Sequence, residues 1–520
     1  MRTKLKWTRR IFLIIPFTIL SITISLAQAG ILDSTFGLKG KVTTSIGKAD
    51  YPYEILLSTD GKILVTGQSY YNSSQKGIAL VRYNSNGDLD QTFGSSGIVT
   101  TNVGINSDGR GIAIQANGKI LIGANLNDSL GGNFALLRYN DDGSLDNSFG
   151  NNGIITKAIG SGGHNFCSSI ALQNDQKILT LGYSHNGSDK DFTLLRYDTS
   201  GNADNTFGLN GIVITDFGNN NDWGNFMTIQ PDGKIIVVGI SNNGSDDDMA
   251  MARYNADGSL DTMFGSAGKL ITSINNYNEQ AYGVALQPDG KILVTGGVFN
   301  GSKYDFSLLR YNSNGSLDNT FGIGGIVTTE IGTIHDYCFS VAVQSNGKIL
   351  VGGYSNNGSD NDFALIRYDS IGNLDNSFGS NGIITTDIGN GNDEFNTSVI
   401  IQPDGKILMA GSSFNGTKWD FALLRYTGDA IVSSIPDLEF YSILNVYPNP
   451  FSDILNLNCS SFTNSINTIT IVDMLGRQIL QKEILSNLTE LSLFNIPKGI
   501  YTLKIEGKEK RKATRVIVKN

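Results

Sequence analysis

Residues 344–379 read QSNGKILVGGYSNNGSDNDFALIRYDSIGNLDNSFG, and this stretch holds most of a unit that recurs along the chain. Its closing phrase, Asp-x-x-Phe-Gly, returns seven times, with phenylalanine at Phe36, Phe93, Phe149, Phe207, Phe264, Phe321 and Phe378. Leucine precedes the aspartate in every copy but one, where Ala203 stands. Spacings of 56 to 58 residues mark stacked units that cannot bury their apolar faces alone.

Each unit runs in the same order. A short apolar run such as Gly325-Ile326-Val327-Thr328-Thr329 is followed by a variable loop and an alternating run. A two-residue turn then leads into Lys-Ile-Leu-Val and a glycine pair, and a last run such as Asp305–Tyr311 closes the unit. Short alternating or apolar runs bounded by Gly, Asn and Asp are strands, and Asp-Gly or Asn-Gly between two of them signals a hairpin. Such turns stand at Asp60-Gly61, Asn117-Gly118, Asp232-Gly233, Asp289-Gly290, Asn346-Gly347 and Asp404-Gly405, while the third unit has the poorer Asp175-Gln176. Seven units of four strands predict an all-β, seven-bladed β-propeller, in which radial repetition leaves only short protected edges.

The phase of the repeat predicts how the ring closes. The chain enters with Leu32-Asp33 and a Lys41-Val42-Thr43-Thr44 strand, and leaves the repeats after Arg425-Tyr426 with no further Leu-Asp phrase. The last unit lacks a fourth strand and the first residues supply a spare one, so pairing the two removes an open edge. An Arg-Tyr pair precedes each later phrase, as at Arg367 and Asp375. A buried arginine needs a carboxylate, so one ion pair per blade is expected, with Asp33 serving Arg425.

At 520 residues the chain accommodates one large repeat domain with an appendage. Residues 1–29 read as a secretory signal: basic Arg2, Lys4, Lys6, Arg9 and Arg10, an apolar stretch from Ile11 to Leu26, then Ala27-Gln28-Ala29. That stretch is shorter than the ~20 residues a spanning helix needs and is interrupted by Ser21, Thr23 and Ser25, which argues against an uncleaved anchor. No stable transmembrane segment is expected once it is removed. Three cysteines are too few for a disulfide framework in an exported chain. Cys167 and Cys338 occupy equivalent places in units three apart and are expected to be buried and unbridged. From Gly30 to Ile435 there are 24 Lys and Arg against 40 Asp and Glu, and from Pro436 to Asn520 there are 10 against 8. The acidic repeat region excludes nucleic acid and anionic lipid as expected partners; it is compatible with cations or neutral glycans, and equally with solubility alone.

The units carrying Leu-Asp-x-x-Phe-Gly, Gln-Pro-Asp-Gly-Lys-Ile and Phe-x-Leu-x-Arg-Tyr resemble the delta-60 repeat family, bacterial β-propellers of unassigned function. The resemblance covers about Ile31 to Tyr426; it implies the fold and no activity. The propeller is expected over residues 30–428 and a linker over 429–440.

Beyond the linker, residues 441–520 form a run of short strands: 444–447, 454–457, 468–472, 491–493, 501–505 and 514–518. Alternation with frequent turns predicts a small Ig-like β-sandwich. The order Tyr447-Pro448-Asn449-Pro450, Asp473-Met474-Leu475-Gly476-Arg477, Gly499-Ile500-Tyr501 and a basic strand ending near Lys519 resembles the C-terminal sorting domain of type IX secretion cargo in Bacteroidetes. That resemblance implies passage through the outer membrane by the type IX machinery, then removal of the domain with release or surface attachment. Gly476, Arg477, Gly499, Tyr501 and Lys519 would be its signal elements.

Two candidate sites follow from the loops, where a rigid scaffold usually carries function. Eight residues before the glutamine position of each unit stand Asp50, Ser107, Asn165, Asp222, Glu279, Asp336 and Glu394. The carboxylates Asp50, Asp222, Glu279, Asp336 and Glu394 either ring one mouth of the channel, where Ca²⁺ would be the ligand, or cap their own loops by accepting N–H bonds. The loops after the glycine pairs carry Asn-Gly-Ser/Thr beside Tyr183, Phe299, Tyr304, Tyr354, Phe414 and Trp419, with Trp223 in a neighbouring loop. Aromatic faces beside Asn and Asp suit a glycan, and packing between blades explains them about as well.

Catalysis has little support. Acidic residues recur in every unit, whereas a catalytic pair is irregular; the three histidines lack zinc spacing. No nucleophile elbow, phosphate loop or dinucleotide fingerprint occurs. The expectation is a monomeric, secreted or surface-attached binding scaffold for a glycan or surface protein, without a resident cofactor. The alternative is a secreted polysaccharide-acting hydrolase or lyase, which would show one deep acidic cleft breaking the pseudo-symmetry.

Overall fold

The computed structural model describes residues 29–128, 131–160, 164–218, 220–389, 391, 393–429, 444–447, 451–459, 467–473, 478–484, 488–494, 496–506 and 512–519. Nearly all of the expected signal segment, most of the linker, and Gly476 and Arg477 lie outside the described residues. The chain divides into two units, Met1–Ala430 and Ile431–Asn520. Every regular element among the described residues is a β-strand.

The first unit is built from seven four-stranded antiparallel sheets. Sheet 1 consists of Asp50–Leu57, Ile63–Tyr70, Lys76–Tyr83 and Ile98–Thr101 in spatial order. Sheets 2 to 6 repeat this plan, with first strands beginning at Asn106, Phe166, Asp222, Glu279 and Asp336. Sheet 7 consists of Glu394–Ile401, Ile407–Phe414 and Trp419–Tyr426, and its fourth strand is Lys41–Thr44, paired from Lys41↔Leu424 to Thr44↔Phe421. First strands of neighbouring sheets touch in sequence, and that of sheet 7 touches that of sheet 1. Repeated four-stranded sheets of this kind are the arrangement of a β-propeller.

Local chemistry explains the recurring glycines. The turn glycines Gly61, Gly118, Gly233, Gly290, Gly347 and Gly405 take φ between +81° and +86°, and Gln176 takes +65° in sheet 3, where a side chain costs roughly 1–2 kcal/mol. In the second strands, a Cβ on Gly67, Gly182, Gly239, Gly296, Gly353 or Gly411 would stand 1.7–2.2 Å from a carbonyl oxygen of the first strand. Those carbonyls come close because every first strand carries a β-bulge just beyond them, as between Pro52 and Glu54 or between Ala281 and Gly283.

The repeated phrase assembles an ionic and aromatic knot at one end of each sheet. Arg82, Arg138, Arg196, Arg253, Arg310, Arg367 and Arg425 pair with Asp90, Asp146, Asp204, Asp261, Asp318, Asp375 and Asp33 at 2.7–2.9 Å. The lysine of each Gly-Lys or Gln-Lys turn reaches the same carboxylate, as Lys62 does Asp90 and Lys406 does Asp33. Each guanidinium lies 4.2–4.5 Å from the ring centre of the phrase phenylalanine, and those seven rings are fully buried. Six arginines also donate to a backbone carbonyl of the following sheet, Arg425 to Ser85 of sheet 1 among them. Arg367 instead meets Asp429 at 2.8 Å, which ties a residue expected to open the linker to the repeat unit. Tyrosines of six of the Arg-Tyr pairs share a hydrogen bond with a threonine of the neighbouring sheet, Tyr83 donating to Thr44 at 2.8 Å across the seam.

Cys167 and Cys338 are buried and free, and Cys338 Sγ approaches Gly296 O at 2.8 Å.

In the second unit, Leu444–Tyr447, Ile454–Cys459 and Leu488–Ser492 form one sheet. Gln478–Ile484, Asn467–Asp473, Gly499–Glu506 and Lys512–Lys519 form the other. Phe451, Leu455, Leu457, Ile469, Ile471, Leu491, Tyr501, Leu503 and Ile517 share one core. Strand Gln478–Ile484 was not expected: it is an edge strand whose mostly exposed residues carry no burial alternation to read. Tyr501 donates to Pro497 O at 2.6 Å and Lys519 Nζ to Leu493 O at 2.6 Å, so both expected signal residues are wired into the fold of this unit.

Candidate functional site

Antiparallel register gives each sheet two unlike ends. The Arg–Asp knots occupy one. At the other lie the start of the first strand, the end of the second and the start of the third, as the pairs Asp222↔Ser241 and Asn242↔Asp247 show. The loops that vary between repeats emerge at this second end, which makes it the candidate functional rim.

Between the first strands lies a cavity of about 470 Å³. The bulged residues Tyr53, Arg110, Ser168, Asn225, Tyr282 and Phe339 line it, since a bulge re-aims one side chain out of the alternation. Apart from the tyrosines of sheets 1 and 5, these residues change from sheet to sheet, so the cavity breaks the pseudo-symmetry of the repeats. Arg110 lies 3.7 Å from the ring centre of Tyr53 and 4.8 Å from that of Phe166, and its Nε donates to Asp108 Oδ1 at 2.7 Å. Lys76 and Asn125 also serve Asp108; burial opposes its ionisation, and Arg110 and Lys76 outweigh burial and hold the carboxyl low. Glu54, on the cavity wall, accepts the Ile112 N–H at 2.8 Å, and burial pushes it up to about 8. It is the one carboxyl among the described lining residues.

Partly exposed aromatic rings form a continuous arc along the functional rim. From sheet 5 to sheet 1 the chain of contacts runs Tyr277, Phe299, Tyr304, Tyr337, Tyr354, Phe395, Trp419 and Tyr51. Successive ring centres stand 4.7–5.8 Å apart. Phe414 joins at Trp419. Phe339 contacts Tyr354 and Tyr282, which carries the arc to the cavity wall. Of the expected ligand-face residues, Phe299, Tyr304, Tyr354, Phe414 and Trp419 therefore come together. Tyr183 and Trp223 do not join them; they flank Lys190 Nζ at 4.9 and 5.5 Å, with Tyr183 stacked on Phe166.

The first-strand members Tyr51, Tyr337 and Phe395 were missed in the sequence. Their signal is simple: each directly follows the loop carboxylate of its repeat, at Asp50, Asp336 and Glu394.

Those carboxylates do not line the central cavity. Asp50, Asp222, Glu279, Asp336 and Glu394 are all wholly buried. Each accepts N–H bonds from its own preceding loop: Asp50 from Ile46 and Gly47, Asp222 from Phe217, Glu279 from Asn275, Asp336 from Ile331 and Gly332, Glu394 from Gly389. All five therefore make the loop-capping bonds. Burial drives several of them upward, Asp222 to about 6, Glu279 to about 7 and Glu394 to about 8, with neighbouring carboxylates adding to the shift.

Comparison with known proteins accords with this architecture. Residues 59–93, 115–149, 173–207, 230–264, 287–321, 344–378 and 402–429 match the family described as "Domain of unknown function (DUF5122) beta-propeller". Residues 445–519 match the "Secretion system C-terminal sorting domain" family, and a tail of that kind implies secretion. No curated protein matches this chain. Similar solved structures include a protein of unknown function from Dyadobacter fermentans, 10% identical, covering 75% of this chain and 98% of that one with a TM-score of 0.41. Polysaccharide lyase Uly1 is 12% identical, covering 78% and 97% with a TM-score of 0.42. A PL25 ulvan lyase is 12% identical, covering 74% and 96% with a TM-score of 0.42. Likenesses this distant carry no argument about what the chain binds. Among the described residues no helix is long and apolar enough to cross a membrane.

Proposed function

We propose that the protein is a glycan-binding scaffold exported by the type IX machinery and presented outside the cell or on its surface. The observation that carries this reading is the aromatic arc from Tyr277 to Tyr51. Rings in a row of tilted and edge contacts, each partly open to solvent, offer apolar surface to sugar C–H groups, and the Asn and Asp of adjoining loops supply hydrogen-bonding partners. An arc across four sheets fits an extended chain of sugars better than a single residue.

The remaining elements of the reading serve this role. The repeats are of the delta-60 kind, and strand Lys41–Thr44 closes them into a seven-bladed ring. The second unit is an Ig-like sandwich acting as a cleavable sorting module, with Gly476, Arg477, Gly499, Tyr501 and Lys519 in its signal. The mature protein is a monomer, released or surface-attached.

A glycan-array screen of the secreted protein, with Trp419→Ala and Tyr337→Ala beside it, tests the reading. Binding to oligosaccharides that both variants lose supports it. Silence of the parent protein on the array, or binding unchanged in both variants, overturns it in favour of a protein partner.

A further inference from the structure

Three carboxylates meet at the functional rim where sheet 3 abuts sheet 4, and three more where sheet 6 abuts sheet 7. Asp191, Asp216 and Asp222 each offer an oxygen within 4.8 Å of the other two, and so do Asp362, Asp387 and Glu394. The groups occupy equivalent places in the repeat. Asp191 and Asp362 stand second in a third strand, Asp216 and Asp387 directly follow a fourth strand, and Asp222 and Glu394 open the first strand of the next sheet. We infer that each junction is a binding site for a hard divalent cation of the calcium class, held between two blades.

The oxygens left over by the loop-capping bonds point to a ligand. Asp222 Oδ2 accepts the Phe217 N–H at 2.8 Å, Asp191 Oδ2 and Asp362 Oδ2 accept from Asn186 and Asn357, and Glu394 Oε1 accepts from Gly389. The second oxygens, Asp191 Oδ1, Asp222 Oδ1, Asp362 Oδ1 and Glu394 Oε2, are buried without a donor. All four residues are at least nine-tenths buried. A buried carboxylate oxygen lacking a donor is costly, more so beside others of like charge. The lysines beside the clusters do not bond their carboxylates: Lys269 and Lys41 donate to the backbone carbonyls of Asp216 and Asp387.

Geometry and chemistry agree on the class of ion. Calcium binds oxygen at about 2.3–2.6 Å, so oxygens up to about 4.8 Å apart fit around one such ion. The donors are all carboxylates, which suit calcium and not the softer metals. Asp216 and Asp387 are exposed, leaving an open side for entry and for water to complete the shell. At the junction of sheets 4 and 5 Asp248 and Glu279 repeat part of this pattern, each with a buried oxygen lacking a donor, but Ser273 stands in the third place.

Metal analysis of the secreted protein, dialysed against millimolar calcium and then washed, tests this directly, alongside calorimetric titration of the chelator-treated protein with calcium and magnesium. About two calcium ions per chain are expected, one lost in Asp222→Asn and both in Asp222→Asn combined with Glu394→Gln. Because those substitutions touch the interior, the exposed Asp216→Asn and Asp387→Asn serve as the second pair; each is expected to weaken one site at least about tenfold. Absence of bound calcium, or a stoichiometry and affinity unchanged in Asp216→Asn and Asp387→Asn, overturns the inference and leaves the carboxyls sharing protons. The readout is separate from sugar binding, so it stands or falls apart from the glycan reading.

Discussion

Arg425 and Asp33 lie 392 residues apart in the chain, and the Arg425 Nε donates to Asp33 Oδ2 at 2.9 Å. Thr35 Oγ1 and Lys406 Nζ complete the same cluster, and Arg425 reaches onward to the Ser85 carbonyl. The first residues of the repeat region and its last sheet are thus held by the same knot that every other sheet makes from residues eight apart.

Asp33→Asn is expected to destabilise the repeat unit by about 3–5 kcal/mol, the usual cost of leaving one buried partner uncompensated. Asp261→Asn, which breaks the equivalent pair within sheet 4, should cost about as much. The difference should lie in shape: the seam variant frees an edge strand, so its denaturant transition should broaden. A seam variant that unfolds like the parent would exclude a role for this knot in holding strand Lys41–Thr44 on sheet 7.

Two sets of carboxyls respond to pH in opposite directions. At Asp33 and Asp146 burial works against the charged form, but hydrogen bonds from Thr35 or Ser148 and the nearby cations prevail, holding both at about 2. Their contribution is present above pH ~4 and is lost as pH falls through about 2. Asp222, Glu279 and Glu394 are raised to about 6, 7 and 8, so theirs is present below pH ~4 and lost as pH rises through 6 to 8. Denaturant midpoints in chelator should accordingly peak at mildly acidic pH and fall on either side. A midpoint still rising from pH 5 to 8 would contradict the second set.

Burial pushes the Cys167 thiol up to about 12 and the Cys338 thiol up to about 11. Neither should react with a maleimide at pH 8 in the folded protein, and both should react after denaturation, since the thiolate is the reactive form. Peptide mapping of the labelled protein distinguishes the two states.

Trp419 sits between Phe395 and Tyr51 in the arc, whereas Trp223 lies by Lys190 outside it. In a Trp223→Phe variant, binding of an oligosaccharide should change the emission of Trp419 with an unchanged Kd. Loss of binding in that variant would move the contact to the Tyr183 and Trp223 side.

The strands of the repeat were legible because their turns, glycines and apolar runs are local signals repeated seven times. The ion pair at each sheet was legible for a related reason: Arg367 cannot be buried alone, and Asp375 is the carboxylate that recurs beside it. Edge strand Gln478–Ile484 was not legible, because exposed Gln, Lys and Glu residues show no alternation. The loop carboxylates were found by spacing, but the carboxylates they meet were not. Asp191 and Asp362 sit in a different strand from Asp222 and Glu394, and no period in the sequence pairs positions across two sheets.

Sequence alone dictates the strand order, the repeat number, the knot chemistry and the presence of a separate C-terminal unit, because each depends on contacts between residues close in the chain or on a repeated offset. Which rings form the arc, which residues face the cavity and which carboxylates meet emerged only on folding. A bulge in each first strand turns one residue toward the cavity, and the approach of neighbouring sheets brings Tyr354 to Phe395 and Asp362 to Glu394. Those are distances between blades, set by packing, and no linear pattern encodes them.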